Sequence, residues 1–445
     1  MSNPIFNIFR IPDLRRRILF TMLILIIYRI GAMIPIPGIN VDALKIYFKE
    51  AETSGILDFV NLFTGGAFKR FTIFALGIMP YITSSIIIDL LKVVFPTLER
   101  LSKEGHEGYK KLNQYIRYGT VVLCLFQSFA LATWIKTMRT RGGGTVVADD
   151  SGILFFIVAT VAITTGTMIL VWLGDIITER GIGNGISLII MAGIVVRIPQ
   201  ATADTVKKIS ETGEPIIGII LICLFLVVTG ASILLTLGTR RIPIQYGKRQ
   251  VGKSVVQTTA QYIPLRVNAA GVIPIIFASA LIVFPSQILN MIGGTSSQII
   301  NIVHFWLSPG QIPYMLLYSG LIIFFCYFYT SIKFNTNEIA ENLKKYGGFI
   351  PGIRPGQNTS DYMMFILNRI TLSGSIFLAI IAIFPDFILQ IWPEQVTAEM
   401  AHLFGGTSLL IIVGVALDTL KQIESQLLMR HYDGFIKSSK IKGRV

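Results

Sequence analysis

The chain has 445 residues, of which 52% are hydrophobic and only 14% charged. Soluble domains carry about 25% charged residues, so this balance excludes an ordinary soluble globular enzyme and implies a polytopic membrane protein. Lys and Arg outnumber Asp and Glu by 39 to 25, an excess that suits anionic lipid, nucleic acid or an acidic partner according to where it sits.

Four arginines, Arg10, Arg15, Arg16 and Arg17, precede the first apolar run, 18–36. That order also occurs in signal peptides. This run, however, is about 19 residues long, ends in Pro35-Ile36-Pro37-Gly38 and lacks a small-residue cleavage site, which predicts a retained membrane helix. Arg29, near its far end, can snorkel to the interface.

Residues 55–91 break the pattern of a simple span. A short apolar piece (56–63) is followed by Thr64-Gly65-Gly66, then Lys69 and Arg70, then an apolar run from Phe71 that Pro80 interrupts. The expectation is a short helix, a hinge and a span kinked at Pro80. Non-helical backbone at membrane depth is tolerated only where protein buries it or it lines a watery cavity, so this stretch points to a pore or transport path.

Ten spans are predicted, at 18–36, 71–95, 118–135, 153–173, 182–196, 216–237, 269–292, 313–332, 370–389 and 405–420. With ten spans, twenty-eight of the 39 cations fall on the side of the termini and ten on the other, with Arg29 inside a span. By the positive-inside rule both termini are cytoplasmic. Five plus five spans place the halves, 1–200 and 201–445, in inverted orientation, as in many transport proteins. Two long cytoplasmic loops stand out. Residues 238–268 are basic and partly alternating, which predicts a β-hairpin-like protrusion. Residues 333–369 contain Pro351-Gly352-Ile353-Arg354-Pro355-Gly356, a turn that presents Arg354 at an exposed tip. Length and turn chemistry together favour docking surfaces, and a basic tail closes the chain.

Several motifs point nowhere. Gly247-Lys248-Arg249-Gln250-Val251-Gly252-Lys253-Ser254 matches a P-loop literally, but that mechanism needs a strand before it and a helix after it, and Val255 onward reads as β. No nucleotide or other cofactor is expected, and no metal. Gly181-Ile182-Gly183-Asn184-Gly185 is read as a tight helix start, not a dinucleotide fingerprint. Cys124, Cys223 and Cys326 sit in apolar runs and behave as small hydrophobes. Asp89, Asp175 and Asp418 are isolated acids near predicted helix ends, so a proton or ion relay lacks its groups. A secondary transporter would need a midplane polar cluster. A membrane-embedded protease would need paired acids or a Ser/His arrangement within spans. Neither is visible, and no enzyme activity is expected.

Six stretches carry a resemblance. They are Arg29-Ile30-Gly31 with Ile34-Pro35-Ile36-Pro37-Gly38; Ala75-Leu76-Gly77-Ile78-Met79-Pro80-Tyr81-Ile82; and Glu179-Arg180-Gly181-Ile182-Gly183-Asn184-Gly185-Ile186-Ser187. The others are Asn268-Ala269-Ala270-Gly271-Val272-Ile273-Pro274, the Pro351–Gly356 turn and Gly405-Gly406-Thr407-Ser408-Leu409-Leu410-Ile411. In sequence and order they resemble the bacterial SecY family, channel subunits of the protein-export translocase. The resemblance covers nearly the whole chain.

It implies an all-α polytopic fold of ten transmembrane helices. These form two inverted pseudo-symmetric halves around an hourglass pore closed by a plug helix. It implies passage of unfolded secretory polypeptides across the bacterial cytoplasmic membrane and lateral release of membrane segments. Six apolar residues would form the pore ring: Ile78, Ile82, Ile186, Ile190, Ile276 and Ile411. Ile78/Ile82 and Ile186/Ile190 are i, i+4 pairs, so each shares one helix face, and apolar constrictions gate by dewetting. The plug, at about 58–70, would include Asp58, Asn61, Phe63, Thr64, Gly65, Gly66 and Arg70. Gln127, Asn268 and Phe284 are candidates for the lateral gate, the first two as a hydrogen-bonded seam. Lys248, Arg249 and Arg354 are candidates for docking the SecA motor ATPase or the ribosome. The implied membrane partners are SecE, SecG and lipids, and the implied cargo is a polypeptide with its signal sequence. DNA binding is not implied.

Overall fold

A computed structural model describes the chain except residues 1–10, 51–60, 62, 139–144, 148–151, 247–248, 252–253, 257–260, 293–304, 308–309, 394 and 439–445. The architecture is helical, with one small sheet. The first half contains α1 (Pro12–Gly31), α2 (Val41–Glu50), α3 (Met79–Val94), α4 (Pro96–Lys103), α5 (His106–Thr137), α6 (Ile153–Arg180) and α7 (Gly185–Thr212). The second begins with α8 (Pro215–Leu237), followed by strands β1 (Thr239–Tyr246), β2 (Arg249–Val251), β3 (Ser254–Val256) and β4 (Gln261–Arg266). Then come α9 (Ile273–Ile292), α10 (Ile312–Lys333), α11 (Thr336–Lys345), β5 (Gly348–Phe349), α12 (Gln357–Ile391), α13 (Ala398–Phe404) and α14 (Gly406–Ser438).

Among the described residues, seven helices are long and apolar enough to cross a membrane, or eight if α3 and α4, bent by 104° at Phe95, count as one. Each of the ten predicted spans nonetheless has a helix at its centre. The ends differ, for a consistent reason. Hydropathy marks the apolar middle, whereas the hydrogen-bonded backbone continues wherever its polar ends reach water. Thus α5 starts at His106 instead of 118, α7 runs to Thr212 instead of 196, and α12 starts at Gln357 instead of 370. The last third of the 333–369 loop is therefore helix.

The largest correction concerns 71–95. Residues 71–78 form turns and a bridge, and helix begins only at Met79. Pro80 lies in the first helical turn, where its missing N–H costs nothing and its fixed φ suits the start. It does not kink a span but initiates one. Likewise α1 stops at Gly31, and Pro35 makes an antiparallel bridge to Thr72.

Two apolar cores are present, and neither keeps to one half. The first is built mainly on α1, α6 and α7 with the 63–78 segment, but takes in Ile217 and Leu221 of α8, Met400, Ala401 and Leu403 of α13, and Ile411 and Val415 of α14. The second is built mainly on α9, α10, α12 and α14, but takes in Ile86 of α3. Ile82, Leu224, Val272 and Phe384 pack against both. The halves touch along two sides. On one, α7 packs on α8, α13 and α14; on the other, α9 packs on α3 and α5.

The glycine-rich turn before α7 behaves as expected of a tight helix start. A Cβ on Gly185 would lie 1.9 Å from the Gly174 carbonyl oxygen, so only glycine lets α7 begin against α6. Asn184 caps α7 by accepting the Ser187 amide, which satisfies one of the orphan donors at a helix N-terminus.

Candidate functional site

The six isoleucines come from four separate elements, and all fall in or against one contiguous apolar cluster. Ile78, Ile190 and Ile411 are buried members; Ile82, Ile186 and Ile276 pack against it half-buried. Ile78 is the residue preceding α3, yet the Ile82 amide donates to its carbonyl at 3.1 Å. The i, i+4 register therefore includes the residue just before the helix, and the two side chains share a face.

Directly N-terminal lies the segment 61–77, described from Asn61 except for residue 62. Asp58 and most of the expected short helix 56–63 fall outside the described residues. Asn61 and Phe63 are helical, and 64–70 are turns, so the described part of the expected plug is mainly compact loop. Its own polar groups fold it. The Asn61 side chain accepts the Lys69 amide at 3.2 Å, its carbonyl accepts the Gly66 amide at 3.0 Å, and Thr64 Oγ1 accepts the Phe68 amide at 3.2 Å. Apolar contacts hold it in place. Phe63, Ala67, Phe68 and Phe71 are buried, and Phe68 stacks on Trp134 at 6.1 Å. From α1, Arg29 Nη1 donates to the Gly65 carbonyl at 2.8 Å, and the Tyr28 hydroxyl donates to that of Thr64 at 3.5 Å. Arg29 is thus engaged with this segment, beyond the interfacial snorkelling its position suggested. Arg70 is half-buried.

The gate candidates are not joined. Gln127 is half-buried in mid-α5, next to Ser128, which bonds the Thr160 carbonyl of α6. Asn268 is buried just before α9, and no hydrogen bond links the two. The side chain of Phe284 lies outside the described set.

The two long loops, 238–268 and 333–369, pack together as one unit. Strands β1 and β4 pair antiparallel, from Thr239 opposite Arg266 to Ile244 opposite Gln261; the alternation at 241–246 falls on β1, whereas the partner strand lies C-terminal to the alternating stretch 255–260. Strand β5 adds to the same β1, Gln245 opposite Phe349. Ile242, Leu265, Ile350 and Met363 bury a small core between hairpin and second loop. Ser360 Oγ donates to Asn337 Oδ1 at 2.6 Å, tying α12 to α11. Arg354 is exposed at the tip, its carbonyl accepting the Thr359 hydroxyl at 3.0 Å. Lys248 and the side chain of Arg249 lie outside the described residues. The literal P-loop match falls across β2 and β3, which pair antiparallel with Val251 opposite Ser254; a strand stands where that motif needs a helix.

Two of the three acids near helix ends are paired. Asp89 pairs with Lys92 at 2.7 Å, and Asp175 with Arg117 at 2.6 Å; Asp418 is exposed. Two buried charged residues were missed by sequence reasoning: Asp386 on α12 and Arg197 on α7, at 3% and 8% exposure. Asp386 lies within an apolar run that hydropathy reads as featureless.

Comparison with known proteins gives the geometry a family. The family model described as SecY matches residues 72–420. The chain belongs to the SecY family. A protein translocase subunit SecY from Mycobacterium tuberculosis is 45% identical, over 96% of this chain and 98% of that one. A solved structure described as a protein-conducting channel superposes with a TM-score of 0.61 at 18% identity, covering 96% of this chain and 94% of that chain. A second, with a TM-score of 0.59 at 17% identity and the same coverage, is described for a SecY plug domain that stabilises the closed state of the translocation channel and maintains a membrane seal. Membership in the SecY family accounts for the all-α polytopic fold.

Proposed function

We propose that the chain is the protein-conducting channel subunit of a bacterial translocase. It passes unfolded secretory polypeptides across the cytoplasmic membrane and releases membrane segments sideways into lipid. The observation that carries this is the convergence of six isoleucines from four elements on one cluster, capped by the buried 61–77 segment. Uncharged branched side chains form a constriction that dewets when empty and adapts around any passing sequence. The 61–70 region acts as the plug. The packing of α9 on α3 and α5 supports a lateral gate there, with Gln127, Asn268 and Phe284 on or beside those helices. Ten helices, both termini cytoplasmic, form the two inverted halves.

The platform around Arg354, with Lys248 and Arg249 on the hairpin, docks the SecA motor or the ribosome. Those partners or the membrane potential supply the energy, and the channel needs no cofactor. SecE and SecG complete it in the membrane. The test is reconstitution of the purified complex with SecA and ATP. A signal-bearing polypeptide should become protease-protected inside vesicles. If protection is equal in vesicles lacking the complex, the channel reading is refuted.

A further inference from the structure

The face of α7 that carries Ile186 and Ile190 does not end with them. At spacings of three and then four residues it continues with Gly193 and Arg197, positions that stack on one helical face. Those two residues meet the plug. A Cβ on Gly65 would lie 2.9 Å from the Gly193 Cα, and a Cβ on Gly193 would lie 3.1 Å from the Phe63 carbonyl oxygen and 3.0 Å from the Tyr28 hydroxyl. Backbone thus rests on backbone, a contact that requires glycine at 65 and leaves a side chain at 193 only a tight fit. Gly65 also needs its φ of 63°, a left-handed conformation suited to glycine. One turn further on, Arg197 Nη1 lies 2.8 Å from where a Gly66 Cβ would be. From α1, Arg29 grips the Gly65 carbonyl.

We infer that Gly193 and Arg29 form a seat that sets how often the plug is home. Gly193 is the notch and Arg29 the clasp, and both act as positioning residues. Because notch and ring share one face of α7, a rotation or tilt of that helix that widens the ring also withdraws the notch. Opening and unseating are then one motion. This rests on the plug reading above, and the experiment separates the two.

The complex is purified with the whole chain and its ion conductance measured at rest in planar bilayers. In parallel, a Thr64→Cys reporter is labelled with a membrane-impermeant maleimide. Gly193→Leu should raise resting conductance at least tenfold and Gly193→Ala by less. Arg29→Gln should raise conductance and labelling rate several-fold, with Arg29→Lys returning both toward the parent. Deletion of residues 61–70 is the control. If the deletion leaks while Gly193→Ala, Gly193→Leu and Arg29→Gln match the parent in conductance and labelling, the seat is refuted and the plug stands. A deletion as tight as the parent overturns the plug and the seat with it. Equal loss with Arg29→Lys and Arg29→Gln would overturn the clasp.

Discussion

Phe68 offers a quantitative test of the plug. Its ring is 4% exposed, stacks on Trp134 at 6.1 Å and lies 6.5 Å from Phe48. Truncating a buried phenylalanine to alanine costs about 3–5 kcal/mol, and each aromatic pair adds about 0.5–1.5 kcal/mol beyond area. Trp134 is on α5 and Phe48 on α2, both outside the plug, so this loss falls on the seated state and is absent once the plug leaves. At the lower figure, about 3 kcal/mol, the seated-to-unseated ratio falls by roughly 10² because about 1.4 kcal/mol is tenfold. A minor unseated state of about 0.1–1% would become a tenth to a half of the channels. Iodide efflux from proteoliposomes reads this directly. Phe68→Ala should leak strongly, whereas Phe126→Ala, at a residue 54% exposed on α5, should behave as the parent. Equal efflux from Phe68→Ala and the parent, at matched protein content and melting temperature, would refute the reasoning.

Two further outcomes are expected. Ile→Gly changes at three or more of Ile78, Ile82, Ile186, Ile190, Ile276 and Ile411 should raise ion conductance in planar bilayers, because the constriction widens and wets; unchanged conductance would reject the ring. Arg354→Glu should cut SecA-driven export several-fold with the protein still folded and inserted, since its side chain is exposed and only its carbonyl is engaged. Export at the parental rate would dismiss Arg354 as a docking residue.

Much of this protein is written locally. Apolar runs place the helix centres, Asn184 and its glycines mark the start of α7, and period-two alternation marks β1. Each of these depends on residues near one another in the chain. The candidate ring positions are nameable because long motifs surround them. The Phe71–Ile78 run was misread as helix because its hydropathy is that of a span. Its backbone follows instead from bonds to a distant segment: Ile36 donating to Phe71 and Ile73 donating to Ile34.

Tertiary structure alone decided the rest. The union of the two long loops rests partly on a two-residue strand, too short to leave a pattern. Burial of Asp386 and Arg197 depends on which helices surround them. The contact between Gly65 and Gly193 joins residues with no side chains, so hydropathy carries no trace of it; only the packing of α7 against the 63–66 segment brings those backbones together. Sequence determines which segments prefer the membrane, because hydrophobic transfer acts residue by residue. Where the chain can close and reopen depends on distances between distant backbones, and those exist only once the helices have packed.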